Sequence, residues 1–212
     1  MSLKSWSVKR VQRFHIKEFI ENWHYSQSIN GCKSTFHYAL FDEQENMKGA
    51  MFYGGMAMAN QWKKFANQES DVLELRRLCC VDDTPKNAES YFISKSIKDL
   101  KKNWSGKILV SYADKQYGHT GIIYKASNWE LIEETKGAKM IEWNKRLYHD
   151  KSIRTKYKSS KFNQNQLVLF GKNEAEKHIK IKPFAKKIII ALENGEAKYI
   201  NTKGKLTYIY KL

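Results

Sequence analysis

Two periods of apolar and polar positions alternate along the first 134 residues. Trp6–Val11 alternates with period two, as a half-buried strand does. Phe14, Ile16, Phe19, Ile20 and Trp23 then recur at helical spacings, which predicts an amphipathic helix ending near His24. After a Ser/Asn/Gly-rich loop over residues 26–34, Thr35–Phe41 and Lys48–Tyr53 read as two strands around a polar turn. Residues 72–81 (VLELRRLCCV) form an apolar strand that carries two arginines.

Thr84-Pro85 is a helix-start signal, with Thr as cap and Pro in the first helical position. That helix should run to about Lys102, with Ile93, Ile97, Leu100 and Trp104 on one face and Lys95, Lys98 and Lys102 on the other. Lys107–Ala113 reads as a buried strand, Thr120–Ser127 as a helix and Trp129–Glu133 as a strand. Beyond residue 135 the pattern weakens. Strand candidates there are Gln166–Phe170, Ile188–Leu192, Ala197–Ile200 and Leu206–Tyr210, the last two flanking a hairpin-like Asn201-Thr202-Lys203-Gly204. Lys145–Lys161 reads as a basic loop. The order is that of a mixed α/β (α+β mixed sheet) protein whose second half is built of βαβ units.

Composition sharpens this in one respect. The 212-residue chain has a formal charge of +16, but residues 1–134 hold 19 Lys+Arg against 16 Asp+Glu. Residues 135–212 hold 19 against 6, a net +13. A field so segregated points to a polyanion such as nucleic acid. Two parts are therefore expected: a core over 1–134, and a basic part over 135–212 that completes the sheet, binds nucleic acid, or both. Three cysteines with no Cys-x-x-Cys pair predict reduced thiols rather than a disulfide framework or a zinc site. No window approaches the apolar length of a membrane span, so a cytoplasmic protein without membrane attachment is expected.

The chemistry gathers around residues 108–129, ILVSYADKQYGHTGIIYKASNW. Asp114 ends an apolar strand at the edge where α/β sheets place ligand groups, although a loop cap is the ordinary use of such an Asp. Tyr124 lies ten residues on, inside a helix, where core packing is the ordinary alternative. His24-Tyr25 follows the first helix, where a His more often caps or is solvated; His37-Tyr38 repeats the dipeptide inside a strand and should be structural. Arg76 and Arg77 must point to opposite faces, so one faces the helical layer or the cleft, either paired with Glu74 or Asp82 or in contact with a phosphate or donor. Asn87 and Ser90 lie in the first turn of the long helix, suited to anions or to local capping. The basic part interleaves aromatics with Lys145, Arg146, Arg154, Lys156 and Lys158, suited to phosphate contacts and base stacking.

Several of these pieces in order carry a resemblance. They are Trp23-His24-Tyr25-Ser26, Leu75-Arg76-Arg77-Leu78, Pro85-Lys86-Asn87-Ala88-Glu89-Ser90, Ser111-Tyr112-Ala113-Asp114 and Gly118-His119-Thr120-Gly121-Ile122-Ile123-Tyr124-Lys125-Ala126. With the strand order, they resemble the bacteriophage Mom family of DNA-modification proteins. These have the fold of GCN5-related N-acetyltransferases (GNAT). The resemblance implies a GNAT-like acyltransferase fold with a basic C-terminal extension. It implies a transferase acting on the exocyclic amine of adenine in duplex DNA, by carbamoylmethylation or a related acyl transfer, protecting phage or mobile-element DNA from restriction. Asp114, Tyr124, His24 and Tyr25 would be catalytic, and Arg77, Asn87, Ser90 and Ser111 would hold the donor. The fourth and fifth strands would splay around that donor.

An acyl-CoA-type donor is one candidate. The usual Gln/Arg-x-x-Gly-x-Gly/Ala pyrophosphate loop, however, has no counterpart in Val81-Asp82-Asp83-Thr84-Pro85-Lys86-Asn87-Ala88, which lacks glycine and carries two acids. Iron or another metal is a second candidate cofactor, with His24 as its ligand, alone or with His119 and Asp114. The expected partner is duplex DNA with a flipped adenine, stacked on Tyr25, Tyr53 or Trp129. Two alternatives stand beside this reading: an N-acyltransferase using acyl-CoA on a small molecule or protein, and a non-catalytic nucleic-acid-binding protein of the same fold.

Overall fold

The computed structural model describes residues 3–150, 153, 156–158, 179–181 and 183–212. The chain divides into two compact units, residues 1–135 with 204–212, and residues 136–203. The first is built on a seven-stranded sheet. In chain order it contains β1 (Ser7–Arg10), α1 (Arg13–Trp23), β2 (Phe36–Phe41), β3 (Met47–Gly54), β4 (Val72–Cys80), α2 (Ala88–Asn103), β5 (Ile108–Asp114), α3 (Ile122–Lys125) and β6 (Glu130–Glu134). The second unit holds β7 (Lys139–Trp143), β8 (Arg146–His149), β9 (Lys156–Lys158), β10 (Ile179–Ile181), α4 (Pro183–Glu193) and β11 (Lys198–Asn201). The chain then returns to the first sheet as β12 (Lys205–Lys211), which inserts between β5 and β6 and pairs antiparallel with both. The sheet order is β1-β2-β3-β4-β5-β12-β6.

Period-two alternation in β2 and β3 serves both faces of this sheet. Ala39, Ala50 and Phe52 pack beneath Ile16 and Ile20 of α1, while Tyr38, Leu40, Met51 and Tyr53 face Phe92, Ile93, Ile97 and Leu100 of α2. The His37-Tyr38 dipeptide is built into this packing. His37 bonds Ser34, and the fully buried Tyr38 donates to Asp99.

Four expectations are corrected. The helix expected from Thr84-Pro85 begins at Ala88, because the Thr84 and Ala88 amides close tight turns onto the Val81 and Pro85 carbonyls. Asn87 then enters the helix at φ 70, a left-handed conformation Asn tolerates. Ile188–Leu192 is helical rather than extended, since a short apolar run does not distinguish the two states and Pro183 starts a helix. Asn201–Gly204 closes no hairpin, because β11 pairs with β7 while β12 pairs with β5 and β6. Part of the basic loop is the β7–β8 hairpin, whose turn residues Asn144 and Lys145 both have positive φ. The Gln166–Phe170 strand candidate lies outside the described residues.

One close approach fixes the site. Gly121 precedes α3 at φ +77, and a Cβ there would meet the buried Tyr208 of β12 at 2.2 Å from its hydroxyl and 2.4 Å from its ring. Only glycine lets α3, which carries Tyr124, lie against the returning strand. Among the described residues no helix is long and apolar enough to cross a membrane.

Candidate active site

The parallel ladder between β4 and β5 spans only Val72–Glu74 against Ile108–Val110. Beyond it β4 continues along β3, and β5 continues along β12. The two strands therefore diverge, as the resemblance implied. A cleft of about 440 Å³ opens there, lined by residues 75–80 of β4, Tyr112 and Ala113 of β5, residues 118–124 and residues 23–25. Strand edges facing such a gap leave backbone amides and carbonyls free for an extended ligand.

Tyr124 forms one wall. It is buried, stacks on Tyr208 at 5.0 Å and meets Trp129 edge-on. Ser111 Oγ donates to its hydroxyl at 2.7 Å and reaches the Leu75 carbonyl at 3.3 Å, bridging the strands where they part. Burial pushes the Tyr124 phenol up to about 12, so it stays protonated at any working pH. Such a group donates a proton or hydrogen bond and does not act as a base.

His24 caps the end of α1, its amide bonded to Ile20. The Ser26 amide donates to its Nδ1 at 3.0 Å, which places the proton of the neutral ring on Nε2. Burial, and then the Arg77 guanidinium and His119, lower its pKa to about 3. Because the folded value lies below the ordinary 6.5, the unfolded chain binds the proton more readily at acid pH. The stability held by neutral His24 is thus complete above about pH 6.5 and is lost as pH falls toward 3. The denaturant midpoint of the wild type should drop over this range, and that of His24→Asn should drop less. Equal pH slopes would show that His24 does not carry the effect.

Asp114 is buried and caps the 3₁₀ turn Lys115–Tyr117, Oδ1 accepting from the Gln116 amide at 3.0 Å. Its Oδ2 pairs with Lys205 Nζ at 2.9 Å, across the β5–β12 ladder. The capping alternative is therefore realised, yet the same carboxylate raises the pKa of both Tyr25 and Tyr117 and counters the lowering of His119. Tyr25, raised to about 12 by burial and then by Asp114, contacts the His24 ring at 4.2 Å.

Of the expected donor contacts, Arg77 lines the cleft, with Nη1 donating to the Arg76 carbonyl at 2.7 Å and Nε to Ser28 at 3.4 Å. Arg76 takes the structural role. It pairs with buried Glu74 at 3.5 Å and donates to the Gly55 carbonyl. Asn87 and Ser90 stand at the start of α2 outside the residues lining the cleft, and Ser90 donates to the Asn87 carbonyl as a local cap. The approach to α2 lacks the glycines of the usual diphosphate loop, its Ala88 amide is spent on Pro85, and Glu89 faces the cleft. The splay suits the extended arm of an acyl donor. The residues do not fit a metal, because no group of three His, Cys, Asp or Glu gathers among the described residues.

Tyr53 and Trp129, expected as stacking surfaces, are core residues at 0% and 4% exposure. Of the basic residues, Lys145 and Arg146 are exposed on the β7–β8 hairpin; Arg154 and the side chains of Lys156 and Lys158 lie outside the described residues. Tyr117 and Lys205 escaped the sequence reading. The only available signal for Tyr117 was its position three residues after Asp114, and nothing local pairs Lys205 with Asp114.

A profile of the Mom protein family matches residues 5–208. The chain belongs to the Mom family. It is 24% identical over 200 residues to the methylcarbamoylase mom of Escherichia phage Mu, covering 85% of this chain and 82% of that protein. Among solved structures it resembles Arabidopsis thaliana NAA60 in complex with acetyl-CoA (TM-score 0.52, 7% identity, 98% of each chain). It also resembles a Bacillus subtilis acetyltransferase in complex with CoA (TM-score 0.50, 7% identity, 98% of this chain and 99% of that one). This Mom-family chain thus has the GNAT fold, and the cleft lies where its fourth and fifth strands part.

Proposed function

We propose that this chain is a transferase that modifies the exocyclic amine of adenine in duplex DNA, by carbamoylmethylation or a related acyl transfer. The observation that carries this reading is the cleft of a Mom-family chain, where Tyr124, His24 and Tyr25 converge beside Asp114. In the proposed reaction N6 of adenine bonds to the donor carbon as that carbon's bond to its leaving group breaks. Asp114 accepts a hydrogen bond from the amine and takes the proton N6 loses. Tyr124, held protonated, supplies a proton to the leaving group. Neutral His24 offers Nε2–H to a donor oxygen.

A target base inside a duplex must be extruded to reach such a cleft. The segment 136–203, with 17 Lys+Arg against 6 acidic residues, is proposed to supply the phosphate contacts, Lys145 and Arg146 among them. DNA affinity should accordingly fall steeply with salt.

The test is expression in a bacterial host followed by mass spectrometry of nucleosides from the digested DNA. A deoxyadenosine-derived species of higher mass is expected. Unaltered adenine, from cells in which the protein is soluble and DNA-bound, would refute the proposal. Tight acyl-CoA binding with weak, salt-insensitive duplex binding would favour an acyltransferase for small molecules or proteins.

A further inference from the structure

The rings at the mouth of the cleft come from two distant stretches of chain. Tyr25 and Tyr117 lie 4.1 Å apart at 31°, each 43% exposed. His24 adds a third ring, 4.2 Å from Tyr25, and His119 meets Tyr25 edge-on at 5.3 Å. The neighbouring Tyr124–Tyr208 stack is covered, its rings 7% and 0% exposed. With His24 on one side of Tyr25 and Tyr117 on the other, the stack's outer face is that of Tyr117, and a half-exposed ring there gains little from the core. Its location is also specific. Tyr117 is the last residue of the turn capped by Asp114, and Gly118, at φ 78, ends that turn. The carboxylate is anchored by capping the turn that carries Tyr117, through the Gln116 amide, and its charge is felt by Tyr25, Tyr117 and His119.

We propose that the Tyr25–Tyr117 pair is a stacking platform for one unpaired nucleobase bearing an exocyclic amine, and that Asp114 accepts the hydrogen bond of that amine. This rests on the reading of the cleft as an adenine-modifying site and assigns its base subsite. A flat π-surface holds any base, since every base has a π-face. The carboxylate supplies the selection. It is an acceptor-only group with about four lone-pair sites, of which the Gln116 amide and Lys205 each engage one. Adenine presents amine hydrogens to the remainder, whereas thymine presents a carbonyl oxygen that the carboxylate repels. Lys205 completes the subsite as a positioning residue: it fixes the carboxylate without needing to touch the base.

The experiment measures binding in the absence of any donor. Short duplexes carry a single adenine opposite an abasic position, a single thymine opposite an abasic position, or no unpaired base. Wild type should bind the unpaired-adenine duplex on the order of tenfold more tightly than the fully paired one, the scale of one base–aromatic stack. Unpaired thymine should gain less than unpaired adenine. Tyr117→Ala should lose the preference while keeping its affinity for the paired duplex, and Tyr117→Trp should retain the preference. Matching unfolding midpoints establish that the variants are folded, as expected for a residue this exposed. No preference in wild type, or an undiminished preference in folded Tyr117→Ala, overturns the platform. Equal gains for adenine and thymine overturn the role of Asp114 in selection.

These outcomes separate from the function proposed above. A preference for unpaired adenine in a protein that leaves cellular adenine unaltered supports the base subsite and refutes the modification reaction. Modified DNA from both wild type and Tyr117→Ala, with no preference in either, supports the reaction and overturns the platform.

Discussion

Asp114→Asn should leave duplex adenine essentially unmodified, with a rate loss of roughly 10²–10⁴-fold, the range set by removing a positioned proton acceptor. Asn keeps the shape and the capping oxygen, so the Gln116 amide retains its partner and the turn carrying Tyr117 should survive. What disappears is the charge. The amide cannot take the proton N6 releases, and it cannot pair with the Lys205 ammonium. Lys205 is half exposed and regains water, so the loss should appear in rate and not in folding. The measurement is the yield of modified nucleoside at matched expression, alongside the unfolding midpoint. A folded Asp114→Asn protein with wild-type yield would reduce Asp114 to the turn cap it visibly is.

Tyr124→Phe carries the second large effect. Its phenol lines the cleft, is held protonated by burial, up to about 12, and accepts from Ser111, which also reaches the Leu75 carbonyl where the strands part. Removing the hydroxyl leaves the ring stacked on Tyr208 and against Trp129, and Ser111 Oγ still has the Leu75 carbonyl to bond. Stability should shift by no more than about 1 kcal/mol, the net contribution of one such hydrogen bond. Turnover should fall by roughly 10²–10⁴-fold if the phenol protonates the leaving group. The signature is a fall in kcat with KM for duplex retained. Wild-type kcat in Tyr124→Phe would return Tyr124 to the core.

The two variants also separate by base binding. Asp114→Asn should weaken the preference for unpaired adenine, because the amine loses its charged acceptor. Tyr124→Phe should leave that preference intact, since its hydroxyl lies on the Ser111 side of the cleft.

The candidate site was unevenly legible. His24-Tyr25, Asp114 and Tyr124 stand out in order along the chain; His24, Tyr25 and Tyr124 line one cleft, while Asp114 follows the lining residue Ala113 and is not itself in the lining. Their neighbours were less readable. Arg76 and Arg77 looked equivalent, and only the structure shows that Arg76 is ion-paired, with Glu74, while Arg77, among the described residues, is held by backbone carbonyls alone. Ser90 had the composition of an anion ligand, but its hydroxyl is turned onto the Asn87 carbonyl. Tyr53 and Trp129 were as plausible as Tyr25 for stacking, because burial is a property of the assembled sheet.

The sequence by itself determined most local elements through residue 134, though not where α2 begins, together with the two-faced alternation of β2 and β3, the charge segregation and the family motifs. Each of these depends on periodicity, capping chemistry or residue identity within a short window. Tertiary structure alone decided how long β4 and β5 stay paired, and so where the cleft opens. It also decided that the last strand inserts between β5 and β6, setting Tyr208 against Gly121 and Lys205 against Asp114. Pairings across 91 residues, as from Asp114 to Lys205, follow from which sheet edge remains open when the chain returns. No local pattern encodes that edge.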